Sequence, residues 1–459
     1  MPWINSKIYV ADIQMHAKGY PAISHLDAIP SPDMSASFQP QFCPKGNFVY
    51  FIRDDSQWGQ LFRYNLQTKS VEKITDIQGE CAQPNWVHDM RTYTLSHDGT
   101  QAFVVANKNT IHTIYQINLE KENESTHYQC TRWTNTHLWS EILQPTCSYD
   151  GRHLAFIGSA PDRPPEICLA NLKENNAIQP LKSTIKSYPQ FIDHQSNPIH
   201  LNWQDNGIKT YGLYWPPKSQ PICKNGEKDI PPVIFKIHGG PTAQATTCWE
   251  PEAQFFTSKN IGVFYVNYRG SWGYGRKYME AIKGQWGVCD VEDAISGLNY
   301  LERQGLASRK KSVIMGGSAG GYTVLQALCH YPQVFAAGIC LYGVTDLFAL
   351  SQQTHKFEKH YNDYLLGILP QATNVYTERS PINFADKIQK PIAIYQGKED
   401  TVVAPQQMIS FVDSLKKFNI PHFFHLYENE GHGFRLQETK EHLYRTMTDF
   451  IYNSIASDV

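Results

Sequence analysis

From Asn197 onward, short runs of apolar, β-branched and aromatic residues alternate with stretches of helical period. The runs are VIFKIH (233–238), VFYVNY (263–268), SVIMGG (312–317), AGICLYG (337–343), IAIYQG (392–397) and FFHLY (423–427). A strand buried on both faces needs such a continuous run, and parallel strands need a crossover between them. The intervening stretches supply crossovers. Val291, Ala294, Ile295, Leu298 and Leu301 fall on one helical stripe, as do Met408, Phe411, Val412 and Leu415. Residues 196–459 are therefore expected to form a mostly parallel, doubly wound α/β sheet, entered through a hairpin near 199–215. The Pro-, Lys- and Gly-rich stretch 216–232 reads as a surface loop.

Residues 1–195 have a different rhythm. Short aromatic and β-branched runs are broken by Gly, Asp, Asn and Pro, which predicts an all-β domain. Three stretches of the form turn, strand, loop, strand resemble one another, beginning at QPQFCPKG, YTLSHDG and QPTCSYDG. Their turn glycines, Gly46, Gly99 and Gly151, recur every 52–53 residues. A repeat of that length builds one four-stranded propeller blade, although a β-sandwich also fits such short strands. At 459 residues the chain exceeds what one core usually supports, so two domains agree with its length.

The strongest chemical signal is Gly316-Gly317-Ser318-Ala319-Gly320, set between a strand-like run and a helical pattern. A serine on so tight a strand-to-helix turn is held in strained backbone angles. Glycines two residues before and after it leave room for neighbouring chain. This is the nucleophile-elbow context of an α/β-hydrolase. A serine hydroxyl needs a base to take its proton, and that base needs a third group to fix its tautomer. In this fold the acid and the histidine follow the serine in that order, each after a later strand. Asp400, after the run at 392–397, and His432, in Glu430-Gly431-His432-Gly433-Phe434, meet that requirement. The tetrahedral oxyanion would be met by the amides of Ala319 and of Gly240 in His238-Gly239-Gly240-Pro241.

Other signals exclude functions. Formal net charge is −2 with no long run of like charge, so neither nucleic-acid nor membrane binding is expected. Ten cysteines with no C-x-x-C pair fit reduced thiols in a cytoplasmic protein. Neither an apolar leader nor a bilayer-length apolar stretch is legible. Gly270, Gly273 and Gly275 match no nucleotide fingerprint, and His422 and His425 would point to opposite faces of a strand. No cofactor or metal is expected.

The stretches HGGPTAQ, VNYRGSWGYGRKY, GQWGVCDVEDA, GGSAGGYT, YGVTDL, THKFEKHY, RSPINFAD, QGKEDTVV and EGHGF together resemble the prolyl oligopeptidase family of serine peptidases. The likeness is nearest to its acylaminoacyl-peptidase and dipeptidyl-aminopeptidase-like branch. That resemblance implies a hydrolase domain capped by a β-propeller, short peptides as substrates, and a triad at Ser318, Asp400 and His432. It implies substrate contacts at Val344, Leu347, Val403 and Tyr322, with an apolar first pocket. Relatives with tyrosine at the position of His238 use its hydroxyl for the oxyanion, so backbone would serve here. It also implies a propeller shortened to three or four blades, because MPWINSKIYVAD resembles an internal stretch of the family's propeller. Open blade edges would then favour a homo-oligomer. The expected activity is a serine exopeptidase or oligopeptidase. A carboxylesterase on small acyl esters and a silent remnant serving in interactions are the alternatives.

Overall fold

A computed structural model describes residues 4–84, 86–87, 89–120, 127–185, 195–219, 230–354, 356 and 358–456. Most of the stretch 216–232, read as a loop, lies outside the described residues, as do residues 186–194 beside the expected boundary at 195. The chain divides into two compact units. One comprises Met1–Ser187, Thr246–Trp249 and Trp272–Lys277; the other comprises Tyr188–Ala245, Glu250–Ser271 and Tyr278–Val459. Among the described residues no helix is long and apolar enough to cross a membrane.

The first unit contains three four-stranded antiparallel sheets, at 37–73, 93–132 and 141–183, each built from strands consecutive in the chain. These are three blades of a partial propeller. Gly46, Gly99 and Gly151 each turn the chain between the first and second strand of their blade, at φ of 74°, 71° and 65°. The left-handed backbone is what made glycine recur there. Gln39 and Gln144 occupy bulges in the first strands of the outer two blades, at φ of 55° and 56°. Their side-chain oxygens accept the amides of Thr92 and Arg91 at 3.0 Å, so both flanking blades grip the entrance to the middle one. Packed side chains such as Phe103, Ile114, Trp139, Leu154 and Phe156 form a core shared by the second and third blades. Each fully buried side chain of this kind contributes about 1.5–3 kcal/mol.

A two-stranded hairpin, Tyr9–Met15 with Pro21–Ala28, precedes the blades. Its inner neighbours Ile8 and Ile29 pack with Phe51 and Phe62 of the first blade. Ile13, Met15 and Ile23 on the hairpin remain about two-thirds exposed, at 67%, 68% and 67%.

The second unit is built on one eight-stranded sheet. Its strands are β1 (Ile199–Asp205), β2 (Ile208–Trp215), β3 (Val233–Ile237), β4 (Gly262–Asn267), β5 (Ser312–Gly317), β6 (Ala337–Leu341), β7 (Ile392–Gly397) and β8 (His422–Tyr427). The spatial order is β1-β2-β4-β3-β5-β6-β7-β8. The strands β4, β3, β5, β6, β7 and β8 run parallel, and the β1–β2 hairpin adds antiparallel to β4. All six runs read from the sequence are strands of this sheet. Helix Cys289–Arg303 buries Val291, Ala294, Leu298 and Leu301, and helix Pro405–Lys417 buries Met408, Phe411, Val412 and Leu415. A core that includes Trp215, Ile234, Met315 and Tyr395 of the sheet packs with Phe256 of helix Pro251–Ser258 and with Met447 and Ile451 of helix Gln437–Ala456.

Candidate active site

Strand β5 ends at Gly317, and helix Ala319–His330 begins two residues later, so Ser318 must reverse the chain alone. It does so at φ 55°, ψ −122°, a region that costs a non-glycine residue about 1–3 kcal/mol. The strain is held by packing on both sides. A methyl group on Gly316 would lie 2.5 Å from the carbonyl carbon of Gly320, and one on Gly320 would strike the carbonyl oxygen of Ile237. The amide of Ser318 donates to Leu341 O on β6 at 3.0 Å, which pins the turn to the sheet.

Asp400 and His432 follow β7 and β8, at the carboxyl ends of neighbouring parallel strands. The three side chains meet. His432 Nε2 lies 2.9 Å from Ser318 Oγ, and His432 Nδ1 lies 2.8 Å from Asp400 Oδ2. A carboxylate can only accept, so Nδ1 carries the proton and Nε2 is left to accept from the serine hydroxyl. Asp400 Oδ1 accepts the amides of Val402 and Val403, each at 2.9 Å, and Gln396 Nε2 donates to Oδ2 at 3.2 Å. Burial works against the Asp400 charge. The hydrogen bond and charge of His432 and the two amides outweigh it and hold the carboxyl below its ordinary value.

The loop that carries His432 has its own brace. Glu430 is 3% exposed, and its carboxylate accepts the amides of Arg435 and Leu436 at 2.9–3.0 Å. The carbonyl of Glu430 accepts from the amide of Glu399, next to Asp400, at 2.9 Å. Gly397 permits this approach, since a methyl group there would overlap the carbonyls of Glu430 and Gly431. Tyr342 packs its ring edge against His432 with centroids 4.8 Å apart.

Backbone donors flank the serine. Tyr322 is the first amide to close a helical turn, onto Ser318 O at 3.0 Å, so the amide of Ala319 precedes the intrahelical ladder. Gly239 packs against the elbow, where a methyl group would lie 2.9 Å from Gly317 O, and Gly240 follows at φ 47°. Gly240, Ser318 and Ala319 line one small pocket together. His238 takes no part in that lining. Its Nδ1–H donates to Gly239 O at 3.0 Å, and its Nε2 accepts from Ser271 Oγ at 2.7 Å. Burial pushes its pKa down to about 4, so the ring is neutral and serves to hold the Gly239-Gly240 turn.

Of the four expected substrate contacts, Val344 and Val403 line the pocket, whereas Leu347 and Tyr322 do not. Leu347 begins a helix and is wholly buried. Tyr322 lies on the buried side of the elbow helix, donating its hydroxyl to Arg379 O at 2.9 Å. Both side chains are buried and lie outside that pocket's lining. Trp286, not singled out from the sequence, also lines the pocket, and Thr354, Glu358, Tyr361 and Asn362 are polar residues of its lining beside Ser318. No side-chain cluster suited to a metal ion occurs among the described residues.

Residues 249–458, which contain all three members of the relay, match the model of the prolyl oligopeptidase family. Over that stretch, a little under half of its length, the chain is similar to the prolyl oligopeptidase family. The chain is similar to dipeptidyl peptidase family member 6 of Caenorhabditis elegans, at 34% identity over 44% of this chain and 28% of that protein. It is also similar to dipeptidyl aminopeptidase BIII of Pseudoxanthomonas mexicana, at 31% identity over 53% of this chain and 36% of that one. A solved puromycin-hydrolyzing peptidase of Mycobacterium tuberculosis superposes with a TM-score of 0.89 at 28% identity, over 99% of this chain and 66% of its own. The chain thus spans about a third of the length of these curated relatives and less than two thirds of that solved structure.

Proposed function

We propose that this chain is a serine peptidase that hydrolyses short peptides through an acyl-enzyme. The observation that carries the reading is the unbroken relay from Ser318 Oγ through His432 to a buried Asp400. Ser318 attacks the carbonyl while His432 Nε2 takes its proton, and Asp400 stabilises the imidazolium through Nδ1. The amides of Ala319 and Gly240 stabilise the oxyanion. His432 then protonates the leaving amine and activates a water to release the acyl group. Val344 and Val403 give the acyl-side pocket its apolar character.

Support for a peptide rather than an ester substrate comes from the relatives, whose names specify peptidases. The decisive comparison is turnover of peptide p-nitroanilides against p-nitrophenyl esters by wild type and Ser318→Ala. Anilide cleavage lost in the variant supports the peptidase reading. Ester cleavage with no anilide cleavage would replace it with a carboxylesterase.

The same reading includes a propeller-type domain over residues 1–195 and a hydrolase domain over 196–459. A cytoplasmic site is consistent with the free thiols of the described cysteines. Association of copies through the open blade edges is motivated by the exposed Ile13, Met15 and Ile23, and the mass in solution tests it.

A further inference from the structure

We infer that Trp286 is the residue that sets the size of side chain this enzyme accepts on the acyl side of the cleaved bond, and that it restricts that side chain to small residues. The inference rests on the peptidase reading above and adds a substrate class to it. The pocket beside Ser318 has a volume of about 60 Å³. An apolar cavity of about 150 Å³ binds benzene, and a single water needs at least about 10–15 Å³ of such space. The available space therefore suits a side chain the size of alanine or at most valine, and excludes a phenyl ring. Val344, Leu350, Leu365 and Val403 are aliphatic walls that can change rotamer, but Trp286 is the largest side chain in the lining and cannot yield so easily.

Its rigidity has a visible origin. The indole is 3% exposed and packs on the ring of Tyr322 with centroids 4.4 Å apart. Tyr322 is itself immobilised, because its hydroxyl donates to Arg379 O at 2.9 Å. The guanidinium of Arg379 returns to the tryptophan, donating to Trp286 O at 3.0 Å and Gly284 O at 3.1 Å. On the other flank the amide of Gly287 donates to the buried Asp290 Oδ1 at 2.7 Å. Gly287 sits at φ 84°, and a methyl group there would overlap the Tyr322 hydroxyl. Backbone on both sides of Trp286 is thus tied to buried groups, so the wall is preorganised rather than induced.

The test is a series of Ala, Val, Leu and Phe p-nitroanilides, free and N-acetylated, assayed on wild type, Trp286→Ala and Trp286→Phe. Among the described residues the indole N–H has no hydrogen-bond partner, so Trp286→Phe removes volume without breaking any polar contact they make and serves if the alanine variant fails to fold. Ratios of kcat/KM between substrates within one variant cancel differences in the amount of folded enzyme. Wild type is expected to favour Ala over Phe by at least about tenfold, and Trp286→Ala to move that ratio toward Phe by about 10- to 100-fold, with Trp286→Phe between them. A wild type that cleaves Phe as readily as Ala, or a ratio unmoved in both variants, overturns the inference. A fluorophosphonate probe separates this from failure of the underlying reading. Labelled enzyme with unmoved ratios sinks the role of Trp286 alone, whereas folded enzyme that neither labels nor turns over any substrate sinks both.

Discussion

Replacing Asp400 by asparagine should silence this enzyme while leaving its fold intact, and the reason lies in which way the new amide must face. In the wild type, Oδ1 accepts two backbone amides, from Val402 and Val403, at 2.9 Å, and Oδ2 faces His432 Nδ1 at 2.8 Å. An asparagine has one oxygen to offer. Leaving two buried amides without an acceptor would cost about 1–3 kcal/mol each, so the oxygen stays with them and the NH₂ turns to His432. Nδ1 must then accept, the ring proton moves to Nε2, and Nε2 donates to Ser318 Oγ instead of taking its proton. Gln396 Nε2 would also confront the new NH₂ in place of the carboxylate oxygen it now contacts at 3.2 Å. The wrong tautomer at such a site costs on the order of 10⁴ in kcat, the scale of loss for an Asp→Asn change in the triad of a trypsin-like protease, or about 5.4 kcal/mol of barrier. The assay is kcat on a peptide p-nitroanilide, with thermal unfolding followed by circular dichroism. A variant melting near wild type yet retaining more than a tenth of its kcat would refute the reasoning.

Glu80, buried in the propeller unit, has its pKa raised to about 8 by burial and by the nearby Asp54 charge. The native state then holds a proton that the unfolded state releases above about 4.5, so its contribution to stability declines from that pH to about 8. Glu80→Gln keeps an acceptor for the amides of Gly59 and Ala82 and should match wild type near pH 5, while being more stable by about 1–3 kcal/mol at pH 9 in denaturant titrations. Gly397→Ala forces a methyl group into the carbonyls of the His432 loop and should lower kcat at least about 100-fold, with about 1–3 kcal/mol of destabilisation read from the same titrations. Asp400 and Glu430 both have native pKa values below their ordinary ones, so the stability they add is present above about pH 4.5 and is lost as pH falls through the native values. Glu430→Gln should therefore flatten the acid limb of a stability-against-pH curve. Ser271→Ala removes the donor to the half-buried Nε2 of His238 and should cost about 0.5–1.5 kcal/mol, with a measurable fall in kcat as the Gly239-Gly240 turn loosens.

The parts of this molecule that were legible in its sequence are those written in local rules. Strands buried on both faces appear as unbroken apolar runs, which is why β3 to β7 could be read one by one, while the half-exposed edge strand β8 was legible from its aromatic run. The blade turns at Gly46, Gly99 and Gly151 were legible because each needs a left-handed backbone. The elbow was legible for a related reason, since neither Gly316 nor Gly320 tolerates a side chain. The pocket was less so. Leu347 and Tyr322 sit close in sequence to Val344 and Ser318, but direction within a helix decides whether a side chain meets solvent or core, and both face core. Trp286 reaches the serine only through the packing of Tyr322 and Arg379, contacts that no spacing rule encodes. Glu430 offered one overlooked signal. A carboxylate two residues before the site histidine, followed by Gly, His, Gly and Phe, marks a loop whose free amides need an acceptor.

The central claim is that Ser318 is the nucleophile, and covalent capture addresses it most directly. Purified folded protein treated with a fluorophosphonate is expected to gain the mass of one phosphonyl group, mapped by peptide sequencing to Ser318 and missing from Ser318→Ala. An adduct on a different serine, or none on protein shown to be folded, would contradict the account.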